Sequence, residues 1–306
     1  MEYDVRGFAA ASDGTRLFFG VAGPTGARQR ESAGDVERRS GSRALDVVLL
    51  DGIGCDGWAW NHIQPELSRN HRVVHTHYRG HGRSGLPVDP NACDVPTLAA
   101  DVVAVMDAVP AQNVVLLGHS MGTQVALEVY RRVPERVRAL VLICGSYGRI
   151  THTFHGNDML HRWLPALIEN VGKHRGIARA LWSRLPPMLA FRIGSWIGEI
   201  DGSSLPPEDF KQYVEHLSDI DLDVYLTMLQ LAGNHSAEDV LELVRVPTLV
   251  IAAEKDTFTP VDVVRALAER IPDAQYIELV GASHAAPIER AGAINEYLGA
   301  FLDRLG

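Results

Sequence analysis

One pattern constrains this chain more than any other. Short runs of branched apolar residues, "LDVVLL", "HRVVHTHY", "NVVLLG", "VRALVLIC", "VPTLVIAA" and "AQYIELV", alternate with stretches such as "VPTLAADVVAVMDAV", "SMGTQVALEVYRRV", "VDVVRALAERI" and "AINEYLGAFLDRL". The runs carry no polar face, so each strand must be covered on both sides. The intervening stretches repeat their apolar residues at helical spacing and supply the cover. Continuous apolar strands separated by helices predict a mostly parallel sheet, because parallel neighbours need a crossover and a helix provides it. "GWAWNHIQPELS" also reads as helical. Ahead of the alternation, "VRGFAAASDGTRLFFGVAG" reads as two strands around an Asp13-Gly14 turn, a β-hairpin.

Two segments interrupt the pattern. Residues 24–43, "PTGARQRESAGDVERRSGSR", are polar and lack apolar periodicity, which predicts a flexible surface loop with no catalytic part. From residue 151 to 242 no strand is evident. Helical segments there carry Trp163, Trp182, Phe191, Trp196, Phe210, Tyr213 and Tyr225, broken by "RLPPM" and "SLPPED". The predicted organisation is therefore an α/β core over residues 1–150 and 243–306, with a helical cap over 151–242.

Composition narrows the partners. Apolar residues make up 46% of the 306, enough for a sizeable core. The net charge of -9, without a long basic run, argues against nucleic acid. No stretch offers about 18 consecutive apolar residues, so no membrane span is expected. "MEYDVRGFAA" places acids where a signal peptide is basic and then apolar. Cys55, Cys93 and Cys144 are widely spaced and odd in number. They predict a reducing, cytoplasmic setting without a disulfide framework, and they form no zinc spacing with the histidines.

The strongest chemical signal is Gly118-His119-Ser120-Met121-Gly122, between a predicted strand and a predicted helix. In that context G-x-S-x-G is a nucleophile elbow. The turn is so tight that only glycine fits two residues to either side of the serine. It aims the Ser120 hydroxyl outward and sets the Met121 N–H beside it, at the positive end of the helix. A serine needs a base, and the base needs an orienting acid. Asp256 lies just past "VPTLVIAA" and His284 just past "AQYIELV". Loops after parallel strands open on one sheet edge, so Ser120, Asp256 and His284 can converge there. Glu254 competes with Asp256 but sits nearer the strand. His119, inside the elbow, is read as structural, and the histidines on helices or in polar segments as solvated.

Together these segments resemble the α/β-hydrolase fold superfamily over nearly the whole chain. Besides "GHSMG", "HYRGHGRSG" is similar to that family's arginine–glycine loop, and "PTLVIAAEKDTFTP" and "GASHAAPIE" to its acid and base segments. The resemblance implies an eight-stranded, mostly parallel, doubly wound sheet with an antiparallel second strand and a helical cap after strand six. It implies Ser120 as nucleophile, Asp256 as acid and His284 as base, with no cofactor and no metal. It implies a second oxyanion donor, the Ile53 N–H, after Gly52. Where the family usually has His before that glycine, this chain has Asp51. Where the family usually has Asp in D-x-R-G-x-G, it has His77. The exchange predicts that Asp51 pairs with His77, or with Arg79, to anchor the two loops.

The reaction so implied is hydrolysis of a small or medium carboxylic ester through an acyl-enzyme, with the acyl substrate and water as partners. Cys55, Trp163, Trp182 and Trp196 are the expected pocket residues. Perhydrolase chemistry uses the same three side chains. Carbon–carbon bond hydrolases of the family often carry Trp after the base, where this chain has Ala285. A small-ligand receptor that retains the same residues is the reading from another class.

Overall fold

The structure, a computed structural model, describes residues 1–24, 44–184, 186, 187, 189, 205 and 207–305. Most of the loop predicted over 24–43 lies outside the described residues, as do Phe191 and Trp196.

Eight strands form one sheet: β1 (Val5–Ala10), β2 (Arg16–Ala22), β3 (Asp46–Leu50), β4 (Arg72–Thr76), β5 (Val114–His119), β6 (Val137–Ile143), β7 (Thr248–Ala253) and β8 (Gln275–Leu279). Their order is β1-β2-β4-β3-β5-β6-β7-β8. β2 runs antiparallel to both neighbours, and from β4 to β8 every pairing is parallel. This is the predicted doubly wound sheet. Alternate side chains feed two cores. Val48 and Leu50 join one with helices α2 (Val95–Ala108) and α3 (Met121–Arg132), while Val47 and Leu49 join the other with Trp58, Trp60 and the closing helix. All four of these β3 residues are fully buried. Burying a branched apolar side chain contributes about 1.5–3 kcal/mol each, which is why the runs must be apolar on both faces.

The stretch "GWAWNHIQPELS" departs from the single helix expected. A left-handed Gly57 (φ 103°) precedes a 3₁₀ turn at Trp58–Trp60, and only Gln64–Leu67 is α-helical, here α1. The 3₁₀ turn buries both tryptophans against the sheet.

Between β6 and β7 the described elements are helical: α4 (Met159–Lys173), α5 (Arg175–Trp182), α6 (Pro207–Asp219) and α7 (Leu222–Asn234), with short 3₁₀ turns at either end. No strand occurs there among the described residues; one isolated bridge joins Gly148 to Ser236. Leu164, Leu222 and Leu226 give these helices a small core of their own. Beyond β7 come α8 (Val261–Arg270), α9 (Ala286–Glu289) and α10 (Ala291–Asp303). No described helix is long and apolar enough to cross a membrane. The chain steps from β3 outward to β4 and then back across to β5, so the strand order reverses beside β3. Sites on open α/β sheets form at the carboxyl ends of strands next to such a reversal.

Candidate active site

Ser120 stands between β5 and α3 with φ 56° and ψ -121°, a conformation that costs a non-glycine residue about 1–3 kcal/mol. The surroundings hold it there. A Cβ at Gly118 would lie 2.4 Å from the Gly122 carbonyl oxygen, and one at Gly122 would lie 2.2 Å from the Leu50 carbonyl oxygen. The Ser120 N–H donates to the Ile143 carbonyl of β6 at 3.0 Å.

The loops after β7 and β8 meet at this serine. His284 Nε2 lies 2.9 Å from Ser120 Oγ, and His284 Nδ1 lies 2.8 Å from Asp256 Oδ2. Asp256 is buried and well supplied with donors. Its Oδ1 accepts the Phe258 and Thr259 N–H groups at 2.8 and 2.9 Å, and its Oδ2 accepts the Thr259 hydroxyl at 2.7 Å. An acceptor-only carboxylate fixes the His284 proton on Nδ1, so Nε2 meets Ser120 Oγ as an acceptor. Glu254 does not compete: it caps the Gly281 N–H at 2.7 Å on the surface.

The base loop is clamped on both sides. His119 Nε2 donates to the His284 carbonyl at 3.0 Å, while Glu289 accepts the Ser283 N–H at 2.8 Å and the Ser283 hydroxyl at 2.5 Å. Burial pushes the His119 imidazole down to about 3, with His284 adding to the effect, so it stays neutral. The ring of Phe258 lies 5.1 Å from that of His284, and Phe154 lies 4.7 Å from Phe258, forming an apolar wall beside the base.

The loop after β3 packs against the elbow. A Cβ at Gly52 would sit 3.1 Å from the Ser120 Cβ, so the loop after β3 runs against the elbow. In that loop the Cys55 N–H turns back to the Gly52 carbonyl and the Gly54 N–H donates to His81 Nε2. Neither the Ile53 N–H nor the Met121 N–H donates to another group among the loop and cap hydrogen bonds of the described residues.

The model of the alpha/beta hydrolase family matches residues 47–297, most of the chain and all of the groups just described. The chain belongs to the alpha/beta hydrolase family.

Among its relatives, the putative carbamate hydrolase RutD of Azorhizobium caulinodans is 28% identical over 260 residues, 83% of this chain and 90% of that protein. The 2-hydroxymuconate semialdehyde hydrolase of Pseudomonas sp. strain CF600 is 27% identical over 265 residues, 84% of this chain and 86% of the relative. The solved enol-lactonase of Burkholderia xenovorans LB400 shares the fold with a TM-score of 0.74 at 23% identity, over 97% of this chain and 99% of that one. The coarse class carries over: this chain is a hydrolase.

The hydrolase corrects the expected loop anchor. Asp51 pairs with neither His77 nor Arg79. Its Oδ2 lies 2.7 Å from His75 Nε2, with both side chains fully buried. Strand register places Leu49 beside His75, and therefore residue 51 nearer to 77. But β4 ends at Thr76, and His77 is claimed by the turn that follows. Its Nδ1 accepts the Arg83 N–H at 2.9 Å, its ring lies 4.6 Å from that of Phe18, and burial drives its pKa down to about 2. Arg79 is buried elsewhere. It makes a bidentate pair with Asp101 at 2.6 and 2.7 Å and reaches Asp13 at 2.9 Å, tying the arginine–glycine turn to α2 and to the hairpin. Tyr78, which donates its hydroxyl to the Asp51 carbonyl at 3.1 Å, and His81 complete the tie between the two loops.

The expected pocket residues scatter. Cys55 is buried behind Ile53, with Sγ 3.8 Å from its carbonyl oxygen. Trp163 is 67% exposed among the described residues. Trp182 packs on Tyr225 and donates its indole N–H to the Ile220 carbonyl at 3.0 Å, so it serves the helices' own core. Trp196 lies outside the described residues. What does reach the site is α6. Asp209 accepts the Trp58 indole N–H through its carbonyl at 2.6 Å, Gln212 accepts from Asn61 at 2.8 Å, and His216 contacts Asp56. α6 thus grips the loop that carries Ile53. Among the described residues no group of three or more His, Cys, Asp or Glu is arranged to hold a metal ion.

Proposed function

We propose that this hydrolase cleaves a small or medium carboxylic ester through an acyl-enzyme on Ser120. The observation that carries the reading is the unbroken line Ser120 Oγ, His284 Nε2, His284 Nδ1, Asp256 Oδ2, with contacts of 2.9 and 2.8 Å, next to the Gly52 loop that packs on Ser120. As the hydroxyl attacks the acyl carbon, His284 takes its proton, and Asp256 stabilises the imidazolium and keeps its tautomer. The N–H groups of Ile53 and Met121 receive the oxyanion; losing one such donor costs about 3–4 kcal/mol of transition-state stabilisation. His284 returns the proton to the leaving alcohol and then activates the water that releases the acid. The helices between β6 and β7 act as the cap, and the wall of Phe154 and Phe258 favours an apolar acyl or alcohol group.

A panel of p-nitrophenyl esters of increasing chain length tests the reading, with Ser120→Ala as control. The expected result is turnover that disappears in the variant and labelling of Ser120 alone by a fluorophosphonate. Turnover of no ester, or labelling elsewhere, refutes it.

A further inference from the structure

The pair beneath the oxyanion loop extends further. His75 Nδ1 lies 2.7 Å from the Tyr3 hydroxyl, and the two rings stack at 6.1 Å with an interplanar angle of 11°. With Asp51 as a carboxylate and the imidazole neutral, one assignment of protons satisfies both contacts. The Tyr3 O–H donates to Nδ1, and Nε2–H donates to Asp51. All donors then point toward the Asp51 carboxylate. Burial, with Asp51 and Asp56 nearby, raises the Tyr3 pKa and keeps its proton in place.

This chain of contacts is costly as a mere anchor. Asp51 Oδ1 is buried without a partner among the described residues, and a buried ion is seldom the most stable solution at a given position. Its location explains what it does. The Asp51 carbonyl is held by Tyr78, and a Cβ on Gly122 would lie 2.8 Å from that carbonyl oxygen. The next residue, Gly52, rests on Ser120, and Ile53 follows. The Asp51 side chain and the Ile53 N–H thus lie two residues apart on one backbone run packed against the elbow.

We propose that Tyr3, His75 and Asp51 form a buried positioning chain that sets the Ile53 N–H at oxyanion distance from Ser120. This rests on the acyl-transfer reading above. None of the three touches substrate; they act through the backbone of residues 51–53. Hydrogen bonds on both ring nitrogens of a buried histidine hold its partners in one arrangement, and catalysis at an oxyanion site is sensitive to displacements of about 1 Å.

The test uses Asp51→Ala, Asp51→Asn and Tyr3→Phe, read with p-nitrophenyl butyrate and with the rate at which a fluorophosphonate labels Ser120. The phosphonyl oxygen of that reagent occupies the oxyanion position without requiring an ester substrate. Asp51→Ala is expected to lower kcat and the labelling rate together by about tenfold or more, with KM within about twofold. Asp51→Asn keeps an acceptor for His75 Nε2–H and should recover most of that loss. Tyr3→Phe, which leaves the His75–Asp51 contact intact, should slow labelling by about threefold. A purely structural role would lower the thermal midpoint and leave the rates of folded protein unchanged. Folded Asp51→Ala that is labelled at the wild-type rate overturns the proposal. So does an Asp51→Asn variant as slow as Asp51→Ala. If Asp51→Ala does not fold, Tyr3→Phe decides, and a wild-type labelling rate there overturns the proposal. Wild-type protein that is not labelled at Ser120 removes the serine reading itself, a result seen without any variant.

Discussion

Adding one methyl group at Gly122 separates the demands of catalysis from those of folding. A Cβ there would lie 2.2 Å from the Leu50 carbonyl oxygen and 2.8 Å from that of Asp51, where real contacts do not fall under 3.0 Å. In Gly122→Ala the end of β3 and the start of α3 must therefore part by about 0.8 Å, the difference between 3.0 and 2.2 Å. The crowding costs about 1–3 kcal/mol. Alanine returns up to about 1 kcal/mol as a better helix former than glycine. The protein should stay folded, with its midpoint lowered by a few degrees. The reaction should suffer far more, because the strand that moves leads into Gly52 and Ile53 while the helix starts directly after Ser120. A displacement near 1 Å costs about a hundredfold in rate. The expected signature is a kcat reduced 30- to 100-fold (order of magnitude) for p-nitrophenyl butyrate, with KM nearly unchanged. Gly172→Ala on α4 is the control, since its Cβ meets nothing within 4 Å. It should leave kcat alone and hold or raise the midpoint. Folded Gly122→Ala with kcat within about threefold of wild type would refute the claim that the elbow and the oxyanion loop are wedged against each other.

Three further outcomes follow from the same contacts. His77 and His119 have pKa values pushed by burial to about 2 and about 3, so the unfolded chain takes up their protons first as the pH falls. Their stabilising effect is complete near neutrality and is lost below the ordinary imidazole range. Between pH 7 and pH 5 each should cost about 2 kcal/mol, measured as a falling urea midpoint, and His77→Gln should reduce the fall by about that amount. Arg79→Met leaves Asp101 buried and unpaired and should cost about 3–5 kcal/mol in urea unfolding; adding Asp101→Leu should recover much of it, and additive losses would refute the pairing. Trp163→Ala, at an exposed position, should change stability by no more than about 0.5 kcal/mol and leave KM for p-nitrophenyl butyrate within twofold; a tenfold rise would return Trp163 to the pocket.

How far the sequence could be read depended on where each instruction is written. The strands were legible because a doubly covered strand must be apolar along its whole length, as Val47 to Leu50 are. The convergence of Ser120, Asp256 and His284 was legible because parallel strands send all their following loops to one edge. The partner of Asp51 was not. Register alone points from residue 51 to His77, and only the turn at residues 79–83 shows that His77 is already engaged by the Arg83 N–H. Tyr3 and His75 carry no motif. Their spacing of 72 residues has meaning only once β2 has brought the N-terminal segment alongside β4. The surroundings of the tryptophans were not legible for a simpler reason: composition records that an aromatic residue is present and not what it packs on, and Trp163 is exposed while Trp182 packs on a local core.

The placement of the helices between β6 and β7 bears on how this enzyme can change. β6 and β7 are neighbours bonded from Leu140↔Thr248 to Ile143↔Ile251, so the ends of everything between them are already pinned side by side. The entropy of closing a chain segment grows only with the logarithm of its length, about 0.6 kcal/mol for each doubling. Lengthening, shortening or exchanging residues 144–247 is therefore nearly neutral for the closure of the sheet, while Ser120 and His284 stay where the strands put them. That segment can change while the sheet that holds the side chains of the site does not. The contacts of α6 with Trp58 and Asn61 are where such drift would meet resistance, because any replacement has to grip the same loop.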